Sequence, residues 1–136
     1  MIMIIYKKLA VFLFVFLPFI SMAKSMDKYS DSYSKCVSDI KNHPIATDCI
    51  SAELLKQEYM INEIVLKNKD ITSPENGEVI DLKSFVDSQK KYVNDKCSLW
   101  RKTGGQNGIL LENQCVLDET ISIKNFLNNF ISSIEG

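Results

Sequence analysis

The stretch LKSFVDSQKKYVNDKCSLWRKTGGQNGILLENQC, from Leu82 to Cys115, decides the fold. In its first half Leu82, Phe85, Val86, Gln89, Tyr92, Val93, Cys97 and Trp100 recur at intervals of three and four, the spacing that turns one helix face toward a core. Gly104-Gly105-Gln106-Asn107-Gly108 then interrupts the pattern. Beyond it the helical spacing resumes in Val116, Thr120, Ile123, Leu127, Phe130 and Ile134. Cys97 and Cys115 stand nearly equidistant from the glycines, so an antiparallel helical hairpin would bring them face to face.

The same arrangement occurs upstream. Tyr29, Tyr33, Cys36, Val37 and Ile40 form a helical stripe over Asp27 to Lys41, and Asn42-His43-Pro44 breaks it. Thr47-Asp48 can cap a second helix with apolar positions at Ile50, Leu54, Ile61, Ile64 and Val65. That helix should fade near Asn68, ahead of the turn cluster Ser73-Pro74-Glu75-Asn76-Gly77. No run alternates at period two between turn signals, which argues against strands. The expectation is an all-α fold, a small bundle of about four helices forming two disulfide-stapled hairpins.

Four cysteines allow three pairings. The symmetry about each turn selects Cys36 with Cys49 and Cys97 with Cys115. Each bridge closes a short loop, worth about 3 kcal/mol in the chain-entropy description. A zinc site fits poorly, because no C-x-x-C pair occurs and His43 is the single histidine.

Oxidised cysteines require an oxidising compartment, and the start of the chain agrees. Lys7 and Lys8 precede an almost wholly apolar run from Leu9 to Ile20, followed by Ser21-Met22-Ala23. Charged start, apolar middle and small-residue end make residues 1–23 a signal peptide, expected to be cut after Ala23. No uninterrupted run of 18 or more apolar residues offers a spanning helix, so no stable membrane insertion is expected after cleavage. Residues 24–136 are then one domain in the periplasm or outside the cell. Lys7 and Lys8 leave with the leader while all 17 acidic residues stay, which shifts the formal charge from -1 to about -3. With no basic run, nucleic acid is not an expected partner.

Catalytic patterns are absent. There is no G-x-S-x-G, no H-E-x-x-H and no glycine loop followed by lysine and a hydroxyl residue. His43 precedes a proline at a turn, with no partner motif beside it. Carboxylate pairs such as Asp118-Glu119 or Glu75 with Glu78 read as solvated surface. The chain is therefore expected to be no enzyme and to need no cofactor or metal. Trp100 reads as a core residue followed by Arg101 and Lys102, cations that suit a helix C-terminus. Tryptophan and arginine beside a loop also make a common binding hot spot.

At these residues the chain resembles a family. Cys36 and Cys49 near the start, Ile61-Asn62 after them, Gly104 to Gly108 between Cys97 and Cys115, and Thr120 and Leu127 after the fourth cysteine follow the order of the LprI-like lysozyme-inhibitor domain. Where that family has an arginine this chain has Ile123, beside Lys124, and only Gln89, Tyr92 and Asp95 echo its pattern before the third cysteine. The resemblance implies an envelope protein that binds a lysozyme-type muramidase. Glycosidases of that kind carry two carboxylates in a cleft, into which a rigid loop could bring Arg101, Lys102, Gln106 and Asn107. Two other binding roles suit a small, exported, helical, disulfide-bonded chain. One is an immunity protein against a peptidoglycan amidase or another toxin from a competitor; the other is an envelope adaptor.

Overall fold

A computed structural model describes residues 28–39 and 47–136. Among these residues four helices follow in order: α1 Asp31–Ser38, α2 Thr47–Lys67, α3 Leu82–Arg101 and α4 Gly105–Glu135. Among the described residues no strand forms, and a single isolated bridge joins Thr72 to Val79 across the turn before α3. Residues 1–23, Ile40 and the Asn42-His43-Pro44 break lie outside the described residues.

Local chemistry sets the helix ends. Ser30 caps α1 by accepting from the Tyr33 amide, and Asp81 caps α3 by accepting from the Ser84 amide at 2.9 Å. The turn between α2 and α3 closes through Gly77 N–H to Ser73 O and Ser73 N–H to Glu78 O, each 2.8 Å. Gly77 sits there at φ 73°, a conformation that side chains with a Cβ resist.

α4 is the centre of the assembly, packing extensively against both α2 and α3, while α1 packs on α2. This arrangement explains why α4 needs two apolar faces. Leu117 and Ile121 meet Ile50 of α2, and Ile123, Leu127 and Ile131 meet Ile61, Leu82, Val86, Val93 and Cys97. A single stripe read from Val116 to Ile134 captures only part of that.

Both expected bridges are present, Cys36 to Cys49 and Cys97 to Cys115, with Cα separations of 5.8 and 5.6 Å. The expected glycine loop is shorter than the sequence suggests. Gly104 at φ 84° and Gly105 at φ 65° make a tight turn, and Gln106, Asn107 and Gly108 already belong to α4. Trp100, expected in the core, is 45% exposed. At that end of the bundle Leu99, Ile109 and Leu111 are exposed too.

Candidate partner-binding surface at the hairpin tip

Arg101, Lys102, Gln106 and Asn107 come together at the α3–α4 tip, all exposed. The turn that carries them is held by its own backbone: Lys102 N–H to Leu99 O at 3.1 Å, Thr103 N–H to Trp100 O at 3.0 Å and Gly104 N–H to Arg101 O at 3.1 Å. The Thr103 hydroxyl also donates to Trp100 O, at 2.7 Å. Below the tip, the buried Cys97 is bonded to Cys115 and clamps the two helices.

Gly108 lets the helices approach closely. A Cβ there would stand 2.9 Å from Trp100 O and 3.1 Å from Thr103 Oγ1. No side chain caps α4, and no acidic residue lies in its first turn, so its leading N–H groups have no side-chain acceptor from a cap. Arg101 is not free: its Nε donates to Glu112, whose side chain is largely buried. That bond fixes the guanidinium and leaves its remaining donors for another acceptor. Trp100 supplies exposed aromatic surface next to both cations.

Three of the four carboxylates noted in the sequence, Asp118, Glu119 and Glu78, are engaged in structural links. Asp118 accepts from the Tyr29 hydroxyl and from Gln114 Nε2 at 3.1 Å and pairs with Lys28 at 3.1 Å, while Glu119 pairs with Lys96 at 2.8 Å. Glu78 accepts from Asn76 at 3.0 Å. Among the described residues no three His, Cys, Asp or Glu side chains converge as metal ligands.

One polar cluster was not foreseen. Lys124 Nζ donates to Gln57 Oε1 at 2.6 Å, Gln57 Nε2 donates to Glu53 Oε1 at 2.6 Å, and Glu53 accepts from the amide of Ser30 at 2.9 Å and from its hydroxyl. Glu53, Gln57 and Lys124 are all buried. Burial pulls the Lys124 ammonium below its ordinary pKa. Burial pushes the Glu53 carboxyl up, but the hydrogen bonds from Ser30 and Gln57 together outweigh it, so the group lies below the usual carboxylate range. The available signal was positional: Glu53 and Gln57 occupy core-facing turns between Ile50 and Ile61.

Against this geometry stands the likeness to known proteins. The sequence profile of the family described as Antitoxin TsiV3 matches residues 42–136. The chain belongs to the TsiV3 antitoxin family. An antitoxin protein TsiV3 from Vibrio cholerae serotype O1 (strain ATCC 39315 / El Tor Inaba N16961) is 31% identical over 89 residues. That alignment spans 65% of this chain and 66% of the relative, a little under two thirds of its length. No solved structure matches the chain. The TsiV3 profile, and not the LprI-like domain, is thus the family that the comparison supports. Its match takes in α2, α3, α4 and the hairpin tip, and it begins beyond α1.

Proposed function

We propose that this protein is an exported immunity protein that binds and neutralises a cell-wall-degrading toxin in the periplasm. Membership of an antitoxin family carries the reading, because the matched segment includes the complete α2–α4 assembly. The apolar leader and two disulfides support export to an oxidising compartment. A toxin acting in that compartment has the peptidoglycan wall as its nearest polymer. In this reading the protein acts by binding its target.

The hairpin tip suits a glycosidase cleft. Lys102 and the outer donors of Arg101 can pair with the two carboxylates such enzymes need, and the amides of Gln106 and Asn107 can hydrogen-bond the cleft walls. Trp100 provides an anchor with little ordering cost, since the turn beneath it is already fixed. A mature charge near -3 would speed association with a basic enzyme more than it would tighten the complex.

The test is a binding measurement with the oxidised protein against purified muramidase and peptidoglycan amidase toxins, alongside survival of producing cells. Arg101→Ala with Lys102→Ala should weaken a complex by about 1 to 3 kcal/mol if the cations meet desolvated carboxylates. Trp100→Ala should weaken it as well, with little change in thermal stability. Failure to bind any cell-wall hydrolase would sink the functional reading. Binding that ignores all three substitutions would move the contact away from the tip.

A further inference from the structure

α1 has eight residues, and none of them is buried. A helix that short does not hold itself together in water. What keeps it in place is a set of contacts made on one side. Tyr29 and Tyr33, with ring centroids 4.6 Å apart, lie on the apolar cluster of Ile50, Leu117 and Ile121. Around them the pins are polar: Ser30 to Glu53, Tyr29 to Asp118, and Tyr33 to Gln114 at 3.2 Å. The single cross-link is Cys36 to Cys49.

The two bridges differ in setting. Cys97 to Cys115 lies within an extensive α3–α4 interface built from the main core. Each bridge joins a buried cysteine, Cys97 or Cys49, to a partly buried one, Cys115 or Cys36, but beside the Cys36–Cys49 bond there is a cavity of about 70 Å³ lined by Ser32, Tyr33, Cys36, Cys49, Ala52 and Glu53. Closing a loop of 13 residues biases the docked state by roughly a hundredfold. That is comparable to everything else α1 has to offer, given that each polar pin exchanges a bond with water for one with protein.

We propose that α1 is a redox-dependent latch: it covers the Ile50, Leu117 and Ile121 groove between α2 and α4 only while Cys36 and Cys49 are joined. Oxidation forms the Sγ–Sγ bond and passes two electrons and two protons to a disulfide oxidant, which becomes a dithiol; a dithiol reductant reverses the exchange. In the reduced chain α2, α3 and α4 stay packed, while α1 leaves and the groove is bared. If the protein is exported as proposed above, the latch closes only after it leaves the reducing cytoplasm. The latch itself does not depend on that reading.

Hydrogen exchange read by mass spectrometry tests it on the full chain, comparing the oxidised protein, the same protein treated with dithiothreitol without denaturant, and Cys36→Ser with Cys49→Ser. In the double variant the amides of 31–38 should exchange more than about tenfold faster, approaching unstructured chain. Segments 50–57 and 114–121 should loosen slightly, and 61–67, 86–97 and 123–131 should keep their protection. Dithiothreitol should reproduce this pattern, with peptide mapping still recovering Cys97 joined to Cys115. Protection of 31–38 at the oxidised level in the double variant overturns the latch. So does an even loss of protection over all four helices, which would make the bridge a global staple.

Discussion

The α1–α2 and α3–α4 hairpins carry disulfides closing loops of similar length, 13 and 18 residues, yet they are held by different physics. The second rests on apolar packing: Val86, Val93 and Cys97 face Ile123, Leu127 and Ile131 with almost no exposed area. The first rests on hydrogen bonds to Glu53, Gln114 and Asp118 around two tyrosine rings. Packing grows with length of contact, whereas each hydrogen bond adds only about 1 kcal/mol net. The bridge therefore supplements a stable interface in one hairpin and sustains a thin one in the other.

The contrast should be sharpest for core truncation. Leu127→Ala removes a fully buried side chain from the main cluster and should lower unfolding free energy by about 2 to 5 kcal/mol. Denaturant melts would show it, and a loss below 1 kcal/mol would mean the α3–α4 interface is looser than its packing implies. Gly108→Ala comes next, at about 1 to 3 kcal/mol, because its methyl would press on the Trp100 carbonyl, which is backbone and cannot swing away. An unchanged melting temperature there would show that the tip can open at little cost.

The smallest effect concerns the polar hairpin. The Glu53 carboxyl lies below its ordinary pKa in the folded protein, so its ionised form contributes stability above the usual carboxylate range. That contribution is lost as pH falls through the folded value. Stability measured from neutral pH down to strongly acidic pH should fall, and Glu53→Gln should flatten the decline. A variant whose acid profile superimposes on the parent would take Glu53 out of the docking of α1.

Much of the fold was legible because the apolar residues of α2 and α3 repeat with helical spacing between unmistakable turns. The pairing of cysteines followed from their symmetry about those turns. Trp100 misled because its position continues the stripe of Val93 and Cys97, while among the described residues its side chain stays 45% exposed at the end of the bundle. The glycines misled differently: Gly104 and Gly105 serve the turn, but Gly108 serves helix-to-helix approach, and spacing alone does not separate the two uses. Lys124 and Gln57 look like surface residues until they are brought together, 67 positions apart in sequence. For the tip, the sequence identified the cations; that Arg101 already has an acceptor in Glu112 emerged only from the folded chain.

The central place of α4 bears on the order in which the protein can form. It is the last of the four helices and runs about 46 Å at the usual rise per residue. Ribosomal synthesis delivers α1, α2 and α3 first, and neither α2 nor α3 has its main apolar partner until α4 is made. The apolar faces of α2 and α3 must therefore wait uncovered, and the chain stays open until its last helix emerges. If the chain is exported as proposed, that delay favours passage through a narrow translocation channel, since such channels admit an extended chain more readily than a finished bundle.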